Sequence, residues 1–121
     1  MKLLKNANVY TPTPLGKQDV LIEGEKILRI AEEIRGYEGL PDVEVYDLAG
    51  KTLVPAYIDL HVHITGGGGE QGPASRVPES TLSTFFKNGI TTVVGLLGTD
   101  GITRSLENLV AKARALTEEG M

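Results

Sequence analysis

Two histidines separated by one residue are the strongest chemical signal in this chain. His61 and His63 are its only histidines, and Asp59 precedes them in an Asp-x-His-x-His pattern. Because alternate side chains of a β-strand share a face, all three would point the same way if this segment is a strand. Two imidazoles at this spacing can bind one metal ion, although a catalytic zinc usually has three protein ligands. The spacing alone leaves open that the histidines bind nothing.

A glycine-rich loop follows the histidines directly. It runs from Gly66 to Gly69 and leads into the carboxylate of Glu70. Glycines allow positive φ and a close approach between backbone and ligand. No Gly-Lys-Ser/Thr follows, so this is not a phosphate-binding P-loop, and a carboxylate suits a cationic group such as an ammonium. A bare glycine run is also typical of a flexible surface loop, but its position after His63 favours a binding role.

The third candidate is the segment Gly98-Thr99-Asp100, which follows an apolar run. The Thr99 hydroxyl is a candidate ligand contact at the same sheet edge as the glycine loop. Alternatively, Thr99 or Asp100 only caps a turn or a helix. Taken alone, the segment favours the capping interpretation.

Short strands and turns are predicted to fill the first part of the chain, up to residue 54. A hairpin is expected at Gly24, because apolar runs at 19–22 and 26–30 flank it. A brief apolar piece at Val9-Tyr10 and an alternating segment at 43–48 add further strands, and residues 31–35 form a loop or one helical turn. We expect a β-meander of about five strands with no chemistry of its own.

The rest of the chain is predicted to have the element order strand, loop, helix, strand, loop, helix. Strands are predicted at 57–64 and 90–97, and helices from Pro78 and from about Arg104. Such βα units form a parallel sheet and an α/β fold. Two parallel strands with two helices leave one sheet edge and one face open, although parallel sheets are normally buried on both faces.

Composition excludes several classes of protein. The 121 residues contain no cysteine, which excludes disulfide frameworks, thiolate metal sites and cysteine nucleophiles. The net charge is −4 and no basic block stands out, so we expect no nucleic-acid partner. No apolar run could span a bilayer, so we expect no membrane partner. The start of the chain has no signal-peptide pattern, so we expect a cytoplasmic protein.

The segment from Pro55 to His63 resembles the first barrel strand of the amidohydrolase superfamily, as does the approach from Asp47 to Lys51. Within that superfamily, segments 66–73 and 93–100 resemble the isoaspartyl dipeptidase family. The resemblance extends over the whole chain. It implies that residues 1–54 are the β-rich N-terminal part of a composite β-sandwich domain. Residues 55–121 would be the first two βα units of a (β/α)8 TIM barrel.

The resemblance also implies a site. Two zinc ions would be bridged by a carboxylated lysine and a hydroxide that attacks the peptide bond formed by an aspartate side chain. His61 and His63 would bind the more buried zinc ion. The Gly68 carbonyl and Glu70 would bind the free α-ammonium of a small dipeptide, and Thr99 would contact the substrate near the same end.

The remaining family residues would lie beyond Met121. These are the bridging lysine, two further histidines and the aspartate that transfers the proton, so we expect no catalytic residue within this chain. The 121 residues alone are expected to be inactive. The family also implies a homo-oligomer when full length.

Two alternatives stay open. The first is another amidohydrolase, such as a dihydroorotase-type cyclic amidase, whose substrates lack the α-ammonium that Glu70 would bind. The second is a catalytically inactive fragment or a partner-binding module.

Overall fold

Five strands form a single sheet in the first unit of the chain. The computed structural model describes residues 1–121 and divides them into two compact units, Met1–Pro55 and Ala56–Met121. The strands of the first unit are β1 (Lys2–Tyr10), β2 (Pro14–Glu23), β3 (Lys26–Ala31), β4 (Glu44–Asp47) and β5 (Thr52–Leu53). The sheet order is β3-β2-β1-β4, and β5 also pairs with β1.

The pairing in this sheet corrects the predicted meander. β1, β2 and β3 are antiparallel neighbours, as a meander requires, but β4 and β5 pair with β1 in parallel. A parallel pair needs a crossover connection rather than a tight turn. The 12 residues between β3 and β4 provide that connection, and residues 31–35 form no helical turn within it.

β1 is much longer than the predicted Val9-Tyr10 piece. Its central position explains the difference, because neighbours on both sides bring its polar residues into the sheet. Asn6 interrupts its pairing with β2 at a positive φ of 58°, and the buried Asp19 carboxylate accepts the Asn6 N–H at 3.0 Å. The buried side chains of this unit form two apolar clusters: Leu3, Leu21 and Ile34, and Ala7, Val9 and Val20.

The second unit contains two parallel strands and two helices. They are β6 (Tyr57–Val62), α1 (Leu82–Phe86), β7 (Ile90–Gly95) and α2 (Leu106–Glu118), with a 3₁₀ turn at Pro73–Ser75. β6 and β7 pair in parallel, as predicted. The core of this unit consists of Ile64, Phe85 and Leu116. Much of the sheet stays open, since Tyr57, Ile58 and Leu60 are each more than 60% exposed.

Both helices begin later than predicted. The segment from Pro78 is extended rather than helical, because the Ser80 N–H donates to the Ile64 carbonyl at 3.1 Å and ties this segment to the end of β6. α2 begins after Ser105, whose hydroxyl accepts the Asn108 N–H at 3.2 Å as an N-cap. Neither helix has the combination of length and apolar composition that crossing a membrane requires.

Candidate active site

The two histidines lie next to each other at the carboxyl end of β6. His61 is exposed within the strand, and the half-buried His63 follows its last residue. Their ring centroids are 5.3 Å apart and the ring planes are nearly perpendicular, at 88°. The Asp59 carboxylate accepts the His61 backbone N–H at 3.1 Å, so it supports the backbone of this strand end.

The His63 ring is held by the segment that follows β7. Its Nδ1 lies 3.3 Å from the Leu96 carbonyl oxygen. A carbonyl can only accept, so Nδ1 donates the proton and Nε2 stays available for a metal ion. Gly67 and Gly98 lie against the ring, because a Cβ at either position would be in ordinary van der Waals contact with it, 3.6 Å from its nearest atom. The loops after both parallel strands therefore meet at His63.

The geometry of the histidine pair fits a shared metal ion. Two imidazoles on one tetrahedral zinc, with Zn–N distances of about 2.0–2.1 Å, place their ring centroids about 5 Å apart. The observed 5.3 Å agrees with that spacing. No group of three or more histidine, cysteine, aspartate or glutamate side chains converges anywhere in the structure. His61 and His63 are therefore two candidate ligands with no third such side chain beside them.

The glycine-rich loop continues to Val77, and its second half folds back on the glycines. The Val77 N–H donates to the Gly67 carbonyl at 2.9 Å, and Gly68 forms an antiparallel bridge with Arg76. Gly68 has a φ of 70°, and a Cβ there would lie 2.4 Å from the Ser75 carbonyl oxygen. A side chain at this position would push the two sides of the loop apart, so the close backbone approach depends on glycine.

Glu70 and Thr99 are joined by a hydrogen bond across the two loops. The Thr99 hydroxyl donates to Glu70 Oε1 at 2.8 Å, and both residues are exposed. The backbone N–H of Glu70 and the Thr99 hydroxyl lower the pKa of the Glu70 carboxyl. The carboxylate is therefore ionised at neutral pH and presents a negative charge to a cationic ligand.

Asp100 is a turn cap, as favoured from the sequence, and also the centre of a charge cluster. Its Oδ1 accepts the backbone N–H groups of Ile102 and Thr103 at 3.2 and 2.9 Å. Its Oδ2 lies 3.2 Å from Arg76 Nε and 3.5 Å from Arg104 Nη1. Hydrogen bonds from the Thr103 hydroxyl and backbone, with Arg76 nearby, lower the pKa of Asp100 to about 2.

Arg76 and Arg104 lie near the site, although the sequence pattern did not indicate either of them. Each pairs with Asp100, although Arg76 comes from the glycine-rich loop. The i,i+4 spacing of Asp100 and Arg104 was the available signal for one pair. The Arg76 pair depends on loop closure and has no local sequence pattern.

The structure also places the five residues proposed for the site. It brings His61 beside His63, and Glu70 beside Thr99. Gly68 lies in the loop between these two pairs and contacts Ser75 and Arg76 rather than Thr99.

Comparison with solved structures finds a β-aspartyl dipeptidase from Fervidobacterium islandicum AW-1. It is 51% identical, with a TM-score of 0.91, and the match covers 99% of this chain and 32% of that one. The resemblance to the isoaspartyl dipeptidases of the amidohydrolase superfamily is confirmed. A second structure from the same organism, of a β-aspartyl dipeptidase in complex with the dipeptide β-Asp-Leu, is 50% identical with a TM-score of 0.89, and that match covers 99% and 31%.

Curated relatives include dihydroorotases. That of Staphylococcus aureus strain Mu50 is 30% identical over 118 residues, which are 98% of this chain and 26% of the relative. No family model matches the chain. The chain thus spans about a quarter to a third of the length of these relatives, all hydrolases of the amidohydrolase superfamily. Its two βα units and β-rich first unit correspond to the N-terminal part of such enzymes.

Proposed function

We propose that this chain supplies a metal-binding strand and an amine-recognition loop to a zinc-dependent β-aspartyl dipeptidase. The similarity to a β-aspartyl dipeptidase at 51% identity supports the reaction class, and a related structure that holds β-Asp-Leu supports the substrate class. Under this proposal, residues 1–54 are part of a composite β-domain and residues 55–121 begin a TIM barrel.

The hydrogen-bonded pair of Glu70 and Thr99 is the observation that carries the proposal. A β-aspartyl dipeptide has its free α-ammonium on the aspartate whose side chain forms the scissile amide. An ionised carboxylate next to a metal-binding strand suits that ammonium, and a charge-assisted hydrogen bond would fix its orientation. The Thr99 hydroxyl holds Glu70 Oε1 at 2.8 Å, so the carboxylate is positioned before substrate arrives.

The remaining roles are those that the resemblance implies. His61 and His63 would bind one zinc ion through a pair of imidazoles whose spacing fits it. When bound, the metal supplies Lewis-acid polarisation of the scissile carbonyl and activation of water. The Gly68 carbonyl would accept a second hydrogen bond from the α-ammonium.

A dihydroorotase-type activity is the second candidate, because curated dihydroorotases align over 98% of this chain at 30% identity. Its substrates carry no α-ammonium, so they would leave Glu70 without a cationic partner. A carboxylate that lacks a cationic partner in the substrate complex disfavours a dihydroorotase-type activity.

A substrate comparison tests the proposal. The full-length protein that the gene encodes, loaded with zinc, would be assayed with β-Asp-Leu, α-Asp-Leu and dihydroorotate. We expect hydrolysis of β-Asp-Leu and at least about a hundredfold lower kcat/KM for the other two. In α-Asp-Leu the ammonium lies one carbon closer to the scissile carbonyl, and dihydroorotate carries no ammonium. Hydrolysis of dihydroorotate without cleavage of β-Asp-Leu would overturn the proposal in favour of the second candidate.

We further propose that the 121-residue chain by itself does not hydrolyse dipeptides, because it offers only two metal ligands. The assay would compare the purified chain with the full-length protein at equal zinc. Turnover by the short chain at the full-length rate would contradict this.

Light scattering of the full-length protein tests the homo-oligomer that the resemblance implies.

A further inference from the structure

The guanidinium of Arg104 closes the base of the glycine-rich loop. Arg104 is only 5% exposed. Its Nε donates to the Thr65 carbonyl at 3.0 Å, and its Nη2 donates to the Val77 carbonyl, also at 3.0 Å. These two carbonyls stand at the two ends of the segment that contains Gly68 and Glu70. One planar, rigid side chain therefore spans the mouth of the loop.

The same guanidinium reaches the segment that carries Thr99. Asp100 follows Thr99 directly, and its Oδ2 lies 3.5 Å from Arg104 Nη1 and 3.2 Å from Arg76 Nε. Arg76 belongs to the far side of the glycine-rich loop. The Asp100 carboxylate thus links the loop after β7 to the loop after β6 in two ways. It contacts Arg76 of that loop directly, and it contacts Arg104, which bonds to both ends of the loop.

Gly66 leaves space for the Arg104 guanidinium. A Cβ on Gly66 would lie 2.9 Å from Arg104 Nη2, so a side chain at that position would displace the guanidinium. The Arg104 head group is therefore packed against backbone as well as hydrogen-bonded to it. Nε and Nη2 hydrogen-bond two separate segments of the chain, and Nη1, which has no hydrogen-bond partner, lies 3.5 Å from Asp100 Oδ2 in a third.

We propose that Arg104 and Asp100 are positioning residues that keep Glu70 and Thr99 at the relative position that ammonium binding requires. This inference rests on the proposed function. Four consecutive glycines have high conformational freedom, and ordering them during substrate binding would weaken affinity. The contacts of Arg104 and Asp100, which we call the clamp, order the glycine-rich loop before the substrate binds. Because the ammonium contact is made alike in the bound substrate and in the transition state, losing the clamp raises KM more than it lowers kcat.

The kinetic test uses Arg104→Lys and Asp100→Asn in the full-length protein, with β-Asp-Leu as substrate. Lysine keeps the positive charge but cannot donate to both carbonyls with fixed geometry, and asparagine keeps the shape but removes the ion pairs. We expect each variant to raise KM about tenfold and to change kcat less than about threefold. Arg114→Lys, an exposed position on α2, is the matched control and should leave both constants unchanged.

A second kinetic result separates positioning from a general loss of structure. In the wild-type background Thr99→Val should weaken kcat/KM, whereas in the Arg104→Lys background it should add little, because the two loops are no longer held in register. Fully additive effects, or a fall in kcat with KM unchanged, would overturn the proposal.

Hydrogen exchange distinguishes a failure of this inference from a failure of the proposed function. Backbone amides of residues 66–77 should exchange at least about tenfold faster in Arg104→Lys, while those of β7 keep their wild-type protection. This measurement needs no turnover, so it stands even if the wild-type protein does not cleave β-Asp-Leu. Unchanged exchange in residues 66–77 of both Arg104→Lys and Asp100→Asn would refute the clamp.

Discussion

The Thr99 hydroxyl lies 2.8 Å from Glu70 Oε1 and joins the loops that follow the two parallel strands. The two residues are 29 positions apart in the chain. Their contact turns two separate candidates from the sequence into one arrangement, an anionic group held in place by a hydroxyl donor. The consequences for binding can be measured one contact at a time.

Removing the Thr99 hydroxyl should weaken substrate recognition. Thr99→Val keeps the volume and removes the donor to an ionised acceptor. Because both residues are exposed, solvent weakens this contact, and we expect a loss of about tenfold in kcat/KM for β-Asp-Leu. Thr99→Ser keeps the hydroxyl and should stay within about threefold of wild type. Equal activities of the valine and serine variants would show that the hydroxyl has no such role.

The sequence predicted the candidate residues, but not the contact between Glu70 and Thr99, because the signal in each segment is local. The alternating Asp-x-His-x-His pattern needs only extended backbone to bring its histidines together, and β6 provides it as far as Val62, with His63 directly after the strand. Gly66–Gly69 and Thr99 could be expected at one edge because the carboxyl ends of parallel strands meet there. The parallel pairing of β6 and β7 confirms that expectation.

Features that depend on distant partners could not be predicted in this way. β1 extends back to Lys2 because strands pair on both of its sides, and β4 pairs in parallel because of a crossover. The helix expected from Pro78 begins at Leu82, since Ser80 is tied to Ile64. The Arg76 and Arg104 contacts form only when the loops close around Asp100.

Two glycines of the loop differ in what a methyl group would meet. Both have positive φ, 89° at Gly66 and 96° at Gly72. A Cβ at Gly66 would lie 2.2 Å from the Val77 carbonyl oxygen, whereas at Gly72 nothing lies within 4 Å. Gly72→Ala should therefore lower the free energy of unfolding by about 1–3 kcal/mol from backbone strain alone, because only glycine readily adopts φ 96° with ψ 174°.

Gly66→Ala also has a positive φ and meets a steric clash in addition. We expect it to lower the free energy of unfolding by more than Gly72→Ala does, since overpacking adds about 1–3 kcal/mol. Urea denaturation of both variants against wild type measures the difference. Equal losses at the two positions would contradict the close backbone approach at Gly66.

Acid should release the Asp100 cluster only at low pH. The pKa of Asp100 is about 2 in the folded chain, below its ordinary value of 3.8, because hydrogen bonds from Thr103 stabilise the carboxylate. A depressed folded pKa stabilises the fold above the ordinary value, and that stabilisation is lost as the pH falls through the folded pKa. The stability difference between wild type and Asp100→Asn should therefore be constant above about pH 5 and shrink between about pH 4 and 2.

Urea denaturation at several pH values measures this difference. Asp42→Asn, at an exposed position of the first unit, is the matched control and should track the wild type. A difference for Asp100→Asn that is independent of pH, or that grows in acid, would rule out the predicted role of the ionised carboxylate.

Metal retention tests the histidine pair without relying on activity. His61→Asn and His63→Asn each remove one of two adjacent imidazoles, and a zinc site that loses a ligand binds far more weakly. Elemental analysis after dialysis should show about one zinc ion fewer per full-length chain in each variant. Glu118→Gln, at the exposed end of α2, should retain the wild-type content. Undiminished zinc in both histidine variants would exclude them as ligands.

The most direct test of the account compares β-Asp-Leu with its N-acetyl derivative in wild type and in Glu70→Gln, using the full-length, zinc-loaded protein. Acetylation removes the ammonium, and the substitution removes the carboxylate that would bind it. We expect each change alone to lower kcat/KM about a hundredfold, and the two together to cost little more than either alone, because they break the same charge-assisted contact. Glu25→Gln is the control for a surface glutamate. If Glu70→Gln cleaves β-Asp-Leu at the wild-type rate, or if the two losses are fully additive, Glu70 does not recognise the α-ammonium.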